Sequence, residues 1–246
     1  MKSATNEPPR FYLISLGCPK NLVDSVGMTI LLERAGYRLA EDVSDADVLI
    51  VNTCGFIEPA RAECREVLKE LVQLKREVTR PLERIAVVGC WVELEGESLK
   101  TRFPEVDLWT GLLTPGRIRR LITWIERGGT SVIGGPSYEP PCYEGGRPRI
   151  GLPHVAYLRV CDGCVNRCSY CTIPSIRGPL RSKPTDVVLR EAEAFARQGV
   201  RELILIAQDP VSYTHLTLPN RRAHRSSSGD VVRPGPAHDV HRRLSR

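Results

Sequence analysis

Three cysteines near the middle of the chain have the spacing of a metal site. Cys164, Cys168 and Cys171 follow the pattern C-x3-C-x2-C. Soft thiolate ligands suit iron, and a cubane iron-sulfur cluster contains four irons. Three thiolates therefore leave one iron without a protein ligand, and a small molecule can bind there.

A fourth cysteine, Cys161, allows two other interpretations of this metal site. With this residue the run becomes C-x2-C-x3-C-x2-C, and four cysteines suit a closed tetrahedral zinc site or a ferredoxin-like cluster. Cys161 also ends the apolar stretch 154–160, where a small residue fits the end of a strand. From the spacing alone, a non-catalytic zinc or iron-sulfur protein remains an alternative.

Three further cysteines are far apart in the sequence but occupy equivalent positions. Cys18, Cys54 and Cys90 each follow a strand-like run, at intervals of 36 residues. In a parallel sheet all strand-to-helix loops open on the same edge, where such folds bind ligands. We therefore expect the three thiols to share one crevice as a second three-thiolate site. The alternative is that each is a small buried residue, which is common for free cysteine.

The first 130 residues alternate strand-like and helix-like segments. The predicted strands are apolar on both faces, which is typical of a parallel sheet covered by helices on both sides. The sequence therefore predicts an α/β fold for residues 1–130. The predicted strands are 11–16, 47–51, 85–88 and 106–109, and the predicted helices are 22–35, 58–78, 93–101 and 115–127.

A second, shorter unit follows a linker. Residues 131–153 contain several Gly and Pro pairs that break regular elements. Residues 154–210 then read as a strand at 155–160, a cysteine loop at 161–183, a helix at 184–197 and a strand at 200–206. This order predicts the start of a (β/α) barrel.

The net charge of +6 is concentrated in the last residues. Residues 211–246 carry seven Arg, no Lys and two Asp, so residues 1–210 are nearly neutral. The segment 211–219 resembles a translated sequencing adaptor, and the composition after it shows no periodicity. We therefore expect 211–246 to be an artefactual or disordered tail, with a natural basic tail for nucleic acid as the alternative.

The chain shows no sign of export or of a membrane segment. Residues 1–10 are polar, and no apolar run approaches the roughly 18 residues that a membrane helix needs. We expect a cytoplasmic protein with reduced thiols, which are more often metal ligands than disulfides in that compartment.

The cysteine motifs resemble those of the radical S-adenosylmethionine methylthiotransferases. The resemblance is carried by residues 17–25, by 52–57 and by the cysteine loop through Gly178. It implies two [4Fe-4S] clusters and S-adenosylmethionine as cofactors. The cluster on Cys164, Cys168 and Cys171 would cleave S-adenosylmethionine to a radical. The resemblance implies an auxiliary cluster on Cys18, Cys54 and Cys90, and cofactor contacts from Tyr170, Arg177, Gln208 and Asp209.

Two segments are similar to the branch of the family that acts on a ribosomal protein. They are Cys18-Pro19-Lys20-Asn21 and Ile206-Ala207-Gln208-Asp209. The resemblance implies methylthiolation of the β carbon of an aspartate in a small-subunit ribosomal protein, by a monomer that uses an external electron donor. A tRNA adenosine methylthiotransferase is the alternative, although the nearly neutral body disfavours RNA. Family members continue into further barrel units, so we expect the chain as written to be truncated and inactive.

Overall fold

A computed structural model describes residues 8–77, 83–112, 114–128, 131–133 and 152–210. The first unit is built on one parallel sheet, as predicted. Its six strands lie in the order β2-β1-β3-β4-β5-β6, and every neighbouring pair is parallel. The strands are β1 (Arg10–Ser15), β2 (Arg38–Leu39), β3 (Val48–Thr53), β4 (Arg84–Gly89), β5 (Leu108–Thr110) and β6 (Ser131–Ile133).

Helices cover both faces of this sheet, which confirms the predicted α/β class. The helices are α1 (Pro19–Arg34), α2 (Glu58–Glu77), α3 (Cys90–Arg102) and α4 (Pro115–Arg127), with a 3-10 turn at Val43–Asp45. Alternate residues of β3 point to opposite faces. Val48 and Ile50 pack with residues of α1 and α4, whereas Leu49 and Val51 pack with residues of α2 and α3.

The first unit differs from the prediction mainly at its edges. Strands β2 and β6 were not predicted, and β6 lies inside the segment 131–153 that the sequence assigns to a linker. The sheet therefore extends past residue 130. Helix α3 begins at Cys90 rather than near residue 93, so that this cysteine occupies the first helical position.

The second unit shows the predicted order of strand, helix and strand. It consists of β7 (Val155–Arg159), α6 (Thr185–Arg197) and β10 (Glu202–Ile206), with β7 and β10 paired in parallel. Leu158, Val160 and Val188 form its small core. The predicted loop 161–183 also contains a five-residue helix, α5 (Ile173–Arg177), and two short antiparallel strands, β8 (Cys161–Asp162) and β9 (Arg181–Ser182).

Several predictions fall on residues outside the described part of the chain. These are the tail 211–246 and residues 134–151 of the predicted linker. Within the described residues, no helix has the length and the apolar character needed to cross a membrane.

Candidate functional site

The structure brings the loops of Cys18, Cys54 and Cys90 to one edge of the parallel sheet. Cys18 precedes α1 just after β1, Cys54 directly follows β3, and Cys90 directly follows β4. Strand β2 is added on one side of β1, and β3 and the later strands are added on the other side. Parallel sheets bind ligands at such a switch point in strand order, here between β1 and β3. Cys18 is exposed, while Cys54 and Cys90 are buried. The shared edge is as predicted; the ligand role stays a prediction.

Two glycines allow these loops to approach one another closely. A Cβ atom at Gly17 would lie 2.4 Å from Cys54 Cβ and 3.0 Å from its Sγ atom. A Cβ atom at Gly55 would lie 2.7 Å from the Cα atom of Trp91, next to Cys90. Any larger residue at either position would separate the cysteine loops.

Asn21 ties the three cysteine loops together, a role that the sequence reasoning missed. Its Nδ2 atom donates to Leu16 O at 3.0 Å and to Thr53 O at 2.9 Å, in the loops after β1 and β3. Its Oδ1 atom accepts from the Cys90 thiol at 3.5 Å. The Asn21 side chain is fully buried. Asn21 is visible in the sequence three residues after Cys18, but its hydrogen-bond partners are not.

The two buried thiols of this edge, those of Cys54 and Cys90, have raised pKa values in the metal-free chain. Burial raises the pKa of Cys54, against the backbone N–H of Phe56. Burial also raises the pKa of Cys90 to about 11, although Arg177 acts in the opposite direction. Because thiolates rather than thiols bind metal, loading of this site would release protons.

The second cysteine group lies in a more open loop. Cys168 is exposed, while Cys164 and Cys171 are half-buried. The N–H of Cys164 donates to Gly178 O at 3.2 Å, and the N–H of Cys171 donates to Cys168 O at 3.1 Å. These bonds fold the loop into a turn that carries all three thiols.

The predicted cofactor contact Tyr170 lies on the outside of this loop. Its side chain is 87 % exposed. The neighbouring Cys168 raises the pKa of Tyr170, through its charge and through a side-chain hydrogen bond. Tyr170 is therefore available to a ligand above the loop.

The donor set fits iron, although the thiols are not drawn together into a coordination sphere. Within the described residues, no three Cys, His, Asp or Glu side chains converge closely enough to hold a metal ion. Each group nevertheless offers three soft sulfur donors on one edge or one turn, which is the chemistry that iron-sulfur clusters use. The residues that would hold such groups are Cys18, Cys54 and Cys90 in the first unit, and Cys164, Cys168 and Cys171 in the second.

Gln208 and Asp209 follow β10 and lie next to the second cysteine loop. Asn166, between Cys164 and Cys168, donates its Nδ2 proton to Asp209 Oδ2 at 3.0 Å. The Gln208 Oε1 atom is buried and accepts no hydrogen bond from the described residues. A buried acceptor without a hydrogen-bond donor is costly in free energy.

Cys161 is set apart from the other cysteines of its run. Its side chain is completely buried in β8, and its thiol donates to Asp209 O at 3.9 Å. Burial raises the pKa of Cys161. These features favour a structural role and disfavour a four-cysteine site.

Arg177 was predicted to contact the cofactor, but the structure gives its guanidinium buried partners in the protein. Nη2 lies 3.0 Å from Asp24 Oδ2, 3.1 Å from Asn21 Oδ1 and 3.3 Å from Cys90 Sγ. Nη1 lies 3.3 Å from Asp162 Oδ2. Arg177 thus joins the second unit to the first cysteine edge.

Asp24 and Arg159 complete this buried junction, and neither was singled out from the sequence. Arg159 Nη2 donates to Asp24 Oδ1 at 2.6 Å, and Arg159 is only 1 % exposed. Burial tends to raise the pKa of Asp162, but the nearby Arg177 and Arg159 lower it overall. Asp162 is therefore ionised near neutral pH and pairs with both buried guanidiniums.

Two lysines near the cysteine sites are partly or fully buried. Lys183 is buried, and its Nζ atom lies 2.6 Å from Glu191 Oε2 on α6. Lys20 is half-buried next to Cys18, and burial lowers its pKa.

Two family descriptions match the chain, one on each unit. Residues 10–111 match the family described as "Uncharacterized protein family UPF0004". Residues 158–233 match the Radical SAM superfamily. The two matches contain the first and the second cysteine group respectively.

Curated relatives match most of the chain and carry the same printed name, "Ribosomal protein uS12 methylthiotransferase RimO". The protein of Elusimicrobium minutum (strain Pei191) is 41 % identical over 205 residues, which cover 83 % of this chain and 46 % of the relative. The protein of Myxococcus xanthus (strain DK1622) is 40 % identical over 219 residues, covering 88 % of this chain and 44 % of the relative. The chain spans about half the length of the curated relatives that it matches.

Proposed function

We propose that this chain, which belongs to the radical S-adenosylmethionine methylthiotransferase family, supplies both cysteine sites of an enzyme that methylthiolates a small-subunit ribosomal protein. The target is the β carbon of an aspartate. The observation that carries the proposal is the buried junction between the two cysteine-containing units, where Arg177 of the second unit lies 3.3 Å from Cys90 of the first. The printed names of the relatives support the choice of a ribosomal protein over tRNA.

The division of labour between the two sites follows from their surroundings. When bound, the cofactors supply one electron to cleave S-adenosylmethionine at Cys164, Cys168 and Cys171, and the sulfur for transfer at Cys18, Cys54 and Cys90. The loop of Cys164, Cys168 and Cys171 is open, with Cys168 exposed, so it admits a small molecule. The edge with Cys54 and Cys90 buried restricts access of water to the transferable sulfur.

The residues around the open loop are suited to orient a ligand with polar groups. The unpartnered Gln208 Oε1 atom accepts a hydrogen bond from an amino group. Tyr170 offers an exposed aromatic ring and a hydroxyl beside Cys168. Asp209 holds the loop through Asn166, so it acts on the ligand site by fixing the position of the cysteines.

The metal content of the chain tests the sites. We expect anaerobic reconstitution with iron and sulfide to give about eight irons per chain, the content of two cubanes. One tightly bound zinc per chain and no iron would support the structural alternative instead.

The activity is tested in a chimaera, because the chain spans about half of its relatives. Residues 1–210 are joined to the second half of the Elusimicrobium minutum relative, and small-subunit ribosomal proteins are examined by mass spectrometry. We expect a methylthio group on one aspartate. Cys168→Ala removes cleavage of S-adenosylmethionine, whereas Cys54→Ala retains cleavage and loses sulfur transfer. Modification of tRNA in place of protein would overturn the choice of substrate.

A further inference from the structure

The junction between the two units is built around one charged cluster. Asp24 comes from α1 of the first unit, whereas Arg159, Asp162 and Arg177 come from β7, β8 and α5 of the second. Their side chains are between 1 % and 12 % exposed. Two positive and two negative charges balance, so each depends on the others for compensation in this buried position.

Arg177 has the central place in this cluster because it also contacts a cysteine of the first group. Its Nη2 atom contacts Asp24 Oδ2, Asn21 Oδ1 and Cys90 Sγ, while Nη1 faces Asp162. The planar guanidinium has five N–H donors in a fixed fork, which lets one side chain bind several acceptors at once. A lysine has a single ammonium group and cannot reproduce this geometry.

An apolar contact supports the same junction independently. Ile176, the neighbour of Arg177 on α5, is 1 % exposed and packs with Cys90 and Leu112 of the first unit. Helix α5 begins at Ile173, two residues after Cys171. The segment that leaves the second cysteine group is thus fixed directly on a thiol of the first group.

We infer that Arg177 is a positioning residue that couples the two cysteine sites. It holds α5 against the first unit, and it donates a hydrogen bond to the sulfur of Cys90 when that sulfur is a metal ligand. The second part rests on the proposed function, since it needs iron at Cys90. Hydrogen bonds to ligand sulfurs raise the reduction potential of iron-sulfur clusters, because they stabilise the added electron.

The first experiment needs no metal. Hydrogen exchange of the reduced, metal-free chain is measured by mass spectrometry for the wild type, Arg177→Met and Arg177→Lys. We expect the amides of α1 and α5 to exchange several-fold faster in Arg177→Met, with Arg177→Lys in between. The control is Arg197→Met, since Arg197 is 70 % exposed and pairs only loosely with Glu193 at 3.8 Å. Equal exchange in Arg177→Met and Arg197→Met would overturn the docking role.

The second experiment measures a quantity that a purely structural role leaves unchanged. Cys164, Cys168 and Cys171 are replaced by alanine, so that only the first site binds iron, and the midpoint potential of that cluster is determined by EPR-monitored titration. We expect Arg177→Met to lower the potential and Arg177→Lys to restore part of it. An identical potential with methionine at position 177 would overturn the contact with the ligand sulfur.

The two experiments separate this inference from the proposed function. If the variant with Arg177 intact binds no iron at Cys18, Cys54 and Cys90, the proposed function fails at that site. In that case the hydrogen exchange result alone decides whether Arg177 couples the two units. If iron binds and neither exchange nor potential responds to Arg177, the proposed function stands and the inference is wrong.

Discussion

The Nη2 atom of Arg177 lies 3.3 Å from the Sγ atom of Cys90, although 87 residues separate them in the chain. Arg177 is the last residue of α5, the short helix that follows Cys171. Cys90 is the first residue of α3 and directly follows β4. Under the proposed function, sulfur transfer to a radical would need the two cysteine sites to face the same substrate carbon at a fixed distance. The buried junction holds Arg177 of the second unit against Asp24 and Cys90 of the first in the metal-free chain.

Asp24 is the residue of the first unit on which the junction depends most. Its carboxylate pairs with both Arg159 and Arg177, at 2.6 Å and 3.0 Å. We expect Asp24→Asn to lower the free energy of unfolding by about 3–5 kcal/mol, because two buried guanidiniums lose one of the two carboxylates that they share. Urea unfolding followed by circular dichroism measures this loss. The control Asp186→Asn removes an exposed pair with Arg190 and should change stability far less than Asp24→Asn does; equal losses would contradict the prediction.

The parts of the fold that follow simple periodicity were predictable from the sequence. Runs such as Val48–Thr53 are apolar on both faces, which indicates a strand buried within a parallel sheet. Once the sheet is parallel, the edge shared by the loops of Cys18, Cys54 and Cys90 follows from topology alone. Strands β2 and β6 were missed because two or three residues are too few to show a period.

The junction could not be predicted, because its residues look like surface residues in the sequence. Asp24 lies on a helix with polar neighbours, and Arg159 lies near the end of a strand. Only their tertiary partners show that both are buried, since ionised side chains are rarely internal unless they are paired. Lys183 illustrates the same point: a basic run suggests solvent, but this lysine is paired with Glu191 in the interior.

Gly17 tests whether close packing of the cysteine loops is needed for metal binding. Its φ angle is +90°, and an added Cβ would lie 2.4 Å from Cys54 Cβ. We expect Gly17→Ala to bind about four irons instead of about eight. Backbone strain costs about 1–3 kcal/mol, and overpacking adds a similar amount. Gly36→Ala is the matched control, since Gly36 has a φ of +93° but nothing within 4 Å. It should lose stability from strain alone and keep its iron; equal iron contents would contradict the prediction.

The buried phenol of Tyr37 should make the first unit less stable at alkaline pH. Burial raises the pKa of this phenol, with a further contribution from Glu126. A raised folded-state pKa stabilises the fold fully below the unfolded value of about 10, and the contribution is lost as the pH rises through the folded pKa. We expect the wild type to lose stability above pH ~10 relative to Tyr37→Phe, measured by urea unfolding at several pH values. Parallel profiles for the two proteins would show that the phenol does not contribute.

Substitutions of Cys54 and Cys64 distinguish a ligand thiol from a structural thiol in the same region. Both are buried, and the thiol of Cys64 on α2 donates to Cys54 O at 3.7 Å. We expect Cys54→Ala to reduce iron from about eight to about four per chain, while Cys64→Ala keeps about eight. The measurement is iron analysis after anaerobic reconstitution. A loss of four irons in Cys64→Ala alone would assign the ligand role to the helix rather than to the strand end.

Substitutions of Cys161 and Cys168 distinguish a three-cysteine metal site from a four-cysteine metal site in the second unit. Cys161 is completely buried and its thiol faces Asp209 O, whereas Cys168 is exposed on the loop. We expect Cys161→Ala to retain about eight irons and Cys168→Ala to retain about four. Because three ligands leave one iron open, added S-adenosylmethionine should change the EPR spectrum of the reduced Cys161→Ala protein as it does in the wild type. It should have no effect on the Cys168→Ala protein. A loss of iron in Cys161→Ala would show that all four cysteines of the run bind the metal, and the closed site that results would leave no position for S-adenosylmethionine.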